Sequence, residues 1–119
     1  MRDYTKLNAW RKSHQLALDV YSITAGLPST ENYGLVTQMR RAAVSIPSNI
    51  AEGAGRRTQA DYRKFIDIAT GSTSELEYHI RLVRDLGYVP HADTERAERT
   101  AGEIKKMLRA LSNKLAPNT

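Results

Sequence analysis

Apolar residues recur at intervals of three and four along most of the chain, a spacing typical of amphipathic helices. Proline and glycine interrupt the pattern at residues 27–29, 53–55 and 87–90. No segment alternates apolar and polar residues as a half-buried strand would. We therefore predict four helices joined by short loops, an all-α antiparallel up-down four-helix bundle. At 119 residues the chain is long enough for one such domain, residues 1–119, and not for two.

The first helix is predicted to run from Asn8, a residue type that caps helices, to about Ala25. Its polar residues share an arc about 100° wide, and the apolar arc spans roughly 220°, about twice the usual core-facing stripe. A monomeric bundle buries only one apolar face of each helix, so the extra apolar width predicts a second contact face and self-association. We assign the oligomer interface to Leu16, Val20 and Ile23.

The second helix is predicted to start near Thr30 or Glu31, and Pro47 falls inside it. Proline removes one N–H group and clashes with the preceding turn, so the helix either kinks or stops at Ile46 and restarts. The apolar positions stay in helical phase across the proline, which favours one continuous, kinked helix. These positions include Leu35, Met39, Ile46 and Ile50.

The third helix is predicted to begin with Thr58 as N-cap and Asp61 three residues later, a near capping box. The small polar run at residues 70–74 could end one helix and cap another, or it could form a close-packing patch centred on Gly71 and Ser72. The apolar stripe resumes in register after the run, so we predict one long helix.

The fourth helix is predicted to start near Asp93 or Thr94. Its apolar residues recur at spacings of three and four, at Ala97, Ala101, Ile104, Leu108, Leu111 and Leu115. Basic residues near its C-terminal end interact favourably with the helix dipole.

Charge and composition narrow the function classes. Eighteen basic and 13 acidic residues give a net charge of +5, and the excess lies in the first sixty residues. The absence of cysteine excludes disulfides, thiolate metal sites and a cysteine nucleophile. No apolar run approaches the ~18 residues of a membrane span, and the chain start has no apolar signal core. We therefore expect a cytoplasmic protein with no membrane partner.

The loop at residues 53–58 is the most suggestive site. Two glycines free the backbone, Arg56 and Arg57 supply charge, and a helix N-terminus follows, which together suit a phosphate group. It lacks the Gly-Lys-Ser/Thr ending of a Walker loop. We predict that Arg56 and Arg57, with Arg40, contact nucleic-acid phosphates. The alternative is a glycine helix stop followed by solvated arginines.

A polar face on the second helix has a structural interpretation. Arg41, Ser45, Ser48 and Glu52 share one side of the helix, while Arg40 points about 100° away. We predict a structural polar seam, with Arg41 tied to Glu52 or to a neighbouring subunit.

Enzyme chemistry finds little support in the sequence. A di-iron bundle needs Glu-x-x-His pairs, whereas His79 has Leu76 three residues before it and His14 has Arg11. Arg84 and His91 match the loose Arg-x4–6-His pattern of HEPN ribonucleases, a match expected by chance at this composition. We predict no catalytic site, metal, cofactor or small-molecule substrate.

Several stretches resemble one known family. Residues 40–53, Arg-Arg-Ala-Ala-Val-Ser-Ile-Pro-Ser-Asn-Ile-Ala-Glu-Gly, are similar to the hallmark of the bacterial four-helix-bundle proteins related to 23S rRNA intervening-sequence proteins. Residues 68–72 with Glu75-Leu76-Glu77 resemble a second hallmark. Trp10-Arg11-Lys12 and Tyr21 are similar to the family's first helix, from which Ser13-His14 is a minor departure.

The resemblance implies an antiparallel four-helix bundle that assembles into a homopentameric ring. Some relatives lie as reading frames within rRNA genes. Others are accessory subunits of diversity-generating retroelements, where a basic pentamer contacts a reverse transcriptase and nucleic acid. We therefore expect a non-enzymatic homo-oligomer that binds RNA, DNA or a nucleic-acid enzyme such as a reverse transcriptase. The alternative is an interaction scaffold without nucleic-acid binding, and a HEPN-like ribonuclease is a distant third.

Overall fold

The computed structural model describes residues 2–118, which form four α-helices and no β-strand. The helices are α1 (Asn8–Ala25), α2 (Leu35–Ala54), α3 (Gln59–Asp85) and α4 (His91–Leu115). Short 3-10 helices at Tyr4–Lys6 and Ser29–Glu31 precede α1 and α2. The predicted fold class is therefore confirmed.

The helices pack in chain order around one core, and α4 closes the bundle by packing on α1. Short connections make consecutive helices antiparallel, and the molecule is 48 Å long and about 21–22 Å wide. One end of the bundle therefore collects the start of α1, the α2–α3 loop and the end of α4. We call it the α2–α3 loop end. The opposite end holds the α1–α2 and α3–α4 connections.

Helix α2 is continuous through Pro47, as predicted, and the proline is buried. Its start was predicted too early: residues 29–31 form a separate 3-10 turn, and α2 begins only at Leu35. Asn32 and Gly34 lie between the 3-10 turn and α2. Both residue types are poor helix formers, so the helix does not begin before Leu35.

Helix α3 is also continuous, and its cap is the predicted one. The Thr58 hydroxyl accepts a hydrogen bond of 3.1 Å from the Asp61 backbone N–H. Within the small polar run, the Thr70 and Thr73 hydroxyls donate hydrogen bonds to backbone carbonyls four residues earlier, a bond that threonine makes from within a helix. The run lies within the continuous helix.

Close packing occurs at a different glycine from the predicted one. No atom lies within 4 Å of the position that a Cβ of Gly71 would occupy, so Gly71 does not bring two helices of the bundle together. At Gly53, a Cβ atom would lie 2.9 Å from Phe65 Cβ and 3.0 Å from Tyr62 Cδ1. Gly53 thus permits the close contact of α2 with α3. The predicted patch is correct only for Ser72, whose hydroxyl lies 2.8 Å from that of Ser45.

Two of the three residues assigned to an oligomer interface belong to the core of the chain. Leu16 and Val20 are fully buried within the bundle, and Ile23 is half-buried. The apolar arc of α1 is wide because it serves two faces, and the exposed one holds Leu18 and Tyr21 instead. The assignment of Leu16 and Val20 to a contact between copies is therefore wrong, and the assignment of Ile23 stays a prediction.

Candidate nucleic-acid interface

Positive charge is concentrated at one end of the bundle. The half of each helix nearest the α2–α3 loop, with its flanking segments, comprises residues 2–16, 45–72 and 104–118. This half holds 12 basic and 4 acidic side chains, a net charge of +8, and the other half holds 6 and 9, a net charge of −3. The net charge of +5 therefore conceals a strong polarity along the bundle axis.

Three arginines surround an open cavity of about 690 Å³ at the tip of the basic end. Arg56 and Arg57 come from the α2–α3 loop, Arg2 comes from the N-terminal segment, and Gly55 completes the lining. The Arg2 guanidinium donates a hydrogen bond of 3.0 Å to the Arg56 carbonyl oxygen, which holds the two segments together. We call Arg2, Arg56 and Arg57 the arginine cluster.

Aromatic rings hold two members of the arginine cluster in place. Arg2 lies 4.6 Å from the ring centroid of Tyr62, and Arg56 lies 4.6 Å from that of Phe65. Burial raises the pKa of Tyr62 despite the opposing charge of Arg2, so the phenol stays neutral. Cation–π contact orders the guanidinium groups without neutralising them, which leaves their N–H donors for an anion.

Glu52 is the one carboxylate of residues 2–118 within salt-bridge distance of the arginine cluster. Glu52 accepts a hydrogen bond of 2.7 Å from Arg56, and both side chains are about half exposed. Among the described residues, no carboxylate lies within salt-bridge distance of Arg2 or Arg57. The cluster sits beside the N-terminus of α3, where backbone N–H groups and the helix dipole also favour an anion.

Arg40 does not belong with these arginines. Its guanidinium donates a hydrogen bond of 2.9 Å to the Thr24 hydroxyl and lies 4.5 Å from the ring centroid of Tyr21. It therefore joins α1 to α2 at the opposite half of the bundle. Arg40 therefore lies apart from Arg56 and Arg57, and its predicted contact with a phosphate stays a prediction.

The predicted polar seam is partly rearranged. Ser45 bonds across to Ser72 and accepts a hydrogen bond of 2.9 Å from the Asn49 amide, which supports a structural role. Glu52 pairs with Arg56 and not with Arg41. Arg41 and Ser48 are exposed, and Arg41 has no hydrogen-bond or ion-pair partner among residues 2–118.

An apolar groove runs between α1 and α2 on the outside of the bundle. Its cavity is about 390 Å³, and its walls are lined mainly by Tyr4, Trp10, His14, Leu18, Tyr21, Val44 and Pro47. Trp10 stacks on His14 with the ring planes 4° apart, and Leu18 and Val44 are 52% and 41% exposed. We call this surface the α1–α2 groove.

The three histidines lie on three different helices. In the part of the chain that the structure describes, no three His, Cys, Asp or Glu side chains are grouped to hold an ion. His79 is buried on α3, and its Nδ1 atom has no hydrogen-bond partner there. Its Nε2 atom lies 3.9 Å from a Glu75 carboxylate oxygen, but burial outweighs that charge and lowers the pKa of His79.

Arg84 and His91, the two residues of the ribonuclease-like pattern, lie beside different carboxylates. Arg84 forms a 2.9 Å ion pair with Glu98, and the exposed His91 lies 3.8 Å from Glu95.

No helix within residues 2–118 is long and apolar enough to cross a membrane.

Comparison with known proteins fits this architecture. The class defined by the fold is an all-α four-helix bundle with a basic end. The family model of the 23S rRNA-intervening sequence proteins matches residues 5–110, and the chain belongs to that family. A solved structure from Bacteroides thetaiotaomicron, described as a protein of unknown function from the S23 ribosomal protein family, superposes with a TM-score of 0.80. It is 24% identical, and the match covers 86% of this chain and 95% of that one. No curated protein matches significantly.

Proposed function

We propose that this chain is a non-catalytic, self-associating helical bundle whose basic end binds the phosphates of a nucleic acid. The observation that supports this most strongly is the charge polarity, +8 on one half and −3 on the other. A patch of one sign at the end of a molecule attracts a polyanion at a defined place, whereas charge for solubility alone needs no such segregation.

The arginine cluster supports phosphate recognition without base recognition. Arg2 and Arg56 cover the faces of Tyr62 and Phe65, so these rings are not free to stack on bases. Guanidinium groups and a helix N-terminus together suit phosphate oxygens, which are the same for every sequence. Binding is therefore weakly selective among sequences.

Self-association multiplies this contact. The α1–α2 groove leaves several large apolar side chains exposed, which is typical of a protein–protein contact. A ring of identical subunits, five by the family resemblance, repeats the arginine cluster by symmetry. Several weak phosphate contacts then act at high effective concentration on one strand.

Fluorescence anisotropy with a labelled 30-nucleotide RNA and its DNA equivalent tests the proposal. The double variant Arg56→Ala/Arg57→Ala is expected to weaken binding at least tenfold and by the same factor for unrelated sequences. The matched control is Arg96→Ala/Arg99→Ala, which removes the same charge from exposed positions on the other half. Equal losses in both variants would show that net charge matters and the cluster does not.

A second candidate function is a protein-interaction scaffold that binds no nucleic acid. The α1–α2 groove favours it, because an exposed apolar groove suits a protein partner such as a nucleic-acid enzyme. Absence of RNA and DNA binding at 50 mM salt, with self-association intact, would support this function over the first. A ribonuclease is disfavoured because Arg84 is held by Glu98.

A further inference from the structure

The arginine cluster differs from the rest of the basic end because its charges converge on one place. All three of its side chains line a single cavity, together with Gly55. Other exposed cations of that end are distributed over the first 3-10 helix, α3 and α4, and they do not line the cavity: Lys6, Lys64, Lys106, Arg109 and Lys114. The basic end therefore offers two kinds of anion contact, one convergent and one dispersed.

Nucleic acids present two kinds of phosphate that differ in charge. An internal phosphodiester carries one negative charge and has two free oxygens. A phosphate monoester at the end of a strand carries about −1.5 to −2 charges at pH 7 and has three free oxygens. A single exposed cation suits the first kind. Several guanidinium groups around one cavity suit the second, because each presents a fork of N–H donors to a pair of oxygens.

The charge of the cavity matches a phosphate monoester. The three guanidinium groups of the cluster, less the Glu52 carboxylate that pairs with Arg56, leave a net charge of +2. The adjoining N-terminus of α3 adds the partial positive charge of its helix dipole. A monoester dianion neutralises the cluster, whereas a phosphodiester neutralises about half of its charge.

The walls of the cavity suit a phosphate and not a sugar or a base. The lining consists of Gly55 and the three arginines, with no aromatic or aliphatic side chain. The aromatic rings beneath the cluster are covered by Arg2 and Arg56. Because the cluster lies at the tip of the bundle, a strand can enter it by its end while the following nucleotides extend over the dispersed cations.

We infer that the arginine cluster binds the terminal phosphate monoester of a nucleic-acid strand, so that the protein holds the strand by a phosphorylated end. This inference rests on the proposed binding of phosphates by the basic end and specifies which phosphate the cluster takes. The exposed cations outside the cluster contact internal phosphodiesters. A strand that ends in a hydroxyl group therefore binds through those dispersed contacts alone.

Binding of an internal phosphodiester in the same cavity is the competing arrangement. It shares two free oxygens among three guanidinium groups and leaves part of their charge unneutralised. It also brings a nucleoside on each side of the phosphate against a lining that offers neither of them an apolar contact. A terminal phosphate brings a nucleoside on one side only.

Three forms of one internally labelled ten-nucleotide RNA distinguish the two arrangements. One form carries a 5′-phosphate, one carries a 3′-phosphate, and one has hydroxyl groups at both ends. By fluorescence anisotropy at 50 mM salt, at least one phosphorylated form is expected to bind about tenfold more tightly than the hydroxyl form, the effect of a single added charge-assisted hydrogen bond. The form that binds more tightly identifies the end that enters the cavity.

Two double variants, each of which removes two positive charges from the basic end, assign the preference to its residues. Arg2→Ala/Arg57→Ala alters the cluster and is expected to bind all three forms equally. Lys106→Ala/Arg109→Ala alters exposed positions on α4 and is expected to weaken all three forms by a common factor, which keeps the preference. Circular dichroism checks that both variants stay helical. Equal loss of the preference in both would show that total charge produces it and would overturn the inference.

Competition with adenosine 5′-monophosphate separates a strand end from a free nucleotide. This molecule offers the monoester without the diester contacts, so it is expected to displace the phosphorylated RNA only at much higher concentration than unlabelled RNA of the same form. Displacement at equal concentration would assign the cluster to free nucleotides instead.

The outcomes separate this inference from the proposed function. Equal affinity for the three RNA forms, with a steep salt dependence, would overturn the preference for a terminal phosphate and leave the proposed phosphate binding standing. Absence of binding by every form at 50 mM salt would refute both.

Discussion

Gly53 of α2 lies so close to Phe65 of α3 that a Cβ atom at Gly53 would come within 2.9 Å of the Phe65 Cβ atom. Real Cβ atoms do not approach so closely, so the contact between the two helices depends on a missing side chain. The same contact positions Phe65 beneath the Arg56 guanidinium. Gly53 therefore links the packing of the bundle to the arrangement of the arginine cluster.

Substitution of Gly53 by Ala is expected to destabilise the protein by about 1–3 kcal/mol, since overpacking forces the helices apart. Urea denaturation measures the change in the free energy of unfolding. The control is Gly102→Ala in α4, where the added Cβ meets open space and better helix propensity should leave stability unchanged or slightly raised. Equal effects at both glycines would refute the close-packing role of Gly53.

Loss of the Thr58 cap is expected to cost about 1 kcal/mol in Thr58→Ala, because the Asp61 N–H group loses its acceptor. Thr58→Ser keeps the hydroxyl oxygen and should retain most of the stability. Thermal unfolding followed by circular dichroism compares the two. A loss of similar size in the serine variant would show that the hydroxyl is not the important group.

Much of the fold could be predicted from the sequence because helix signals are local. The cap at Thr58, the continuity of α3 and the helical phase across Pro47 all depend on residues within a few positions of one another. The early start assigned to α2 was wrong because apolar spacing does not register the break at Asn32 and Gly34.

The site was less predictable because its members come from distant segments. Arg56 and Arg57 adjoin a glycine loop and could be identified from the sequence. Arg2 comes near them only when the chain folds, and no local sequence pattern indicates its place in the cluster. Similarly, a wide apolar arc on α1 indicates two apolar faces but does not show which of them packs into the core of the bundle. Leu16 and Val20 were assigned to the outer face, whereas the bundle buries them in its core.

Stability is expected to fall below neutral pH because of His79. Burial lowers the pKa of this imidazole in the folded state below its usual 6.5, and the facing Glu75 carboxylate only partly compensates. Above pH 6.5 the imidazole is mostly neutral in both the folded and the unfolded chain, so it does not affect the free energy of unfolding. Below that, the unfolded chain takes up a proton more readily, so stability is lost as pH falls from 6.5 through the folded pKa.

The measurement for His79 is urea denaturation at pH 7.5 and pH 5. His79→Leu removes the buried, unpartnered Nδ1 atom and should flatten the difference between the two pH values. His91→Leu, at an exposed position, is the control and should leave the difference unchanged. An undiminished pH dependence in His79→Leu would assign the effect to other groups.

Gly71→Leu separates assembly from folding. Because its Cβ faces open space, leucine should leave the single chain as stable or raise its stability by up to about 1 kcal/mol through helix propensity. The same leucine adds bulk between the exposed Ile68 and Tyr78 side chains of α3 and should weaken self-association, measured by sedimentation velocity over a dilution series. Unchanged assembly would show that this face of α3 does not contact a neighbouring copy.

The most direct test of the central claim, that the basic end binds phosphates, is the salt dependence of nucleic-acid affinity. The logarithm of the association constant for a single-stranded RNA should fall linearly with the logarithm of salt concentration, by about 0.7 per phosphate contacted. In Arg56→Ala/Arg57→Ala the slope should become shallower by about 1.4 for each subunit in contact, while Arg96→Ala/Arg99→Ala keeps the wild-type slope. An identical slope in all three proteins, or no binding at 50 mM salt, would contradict the claim.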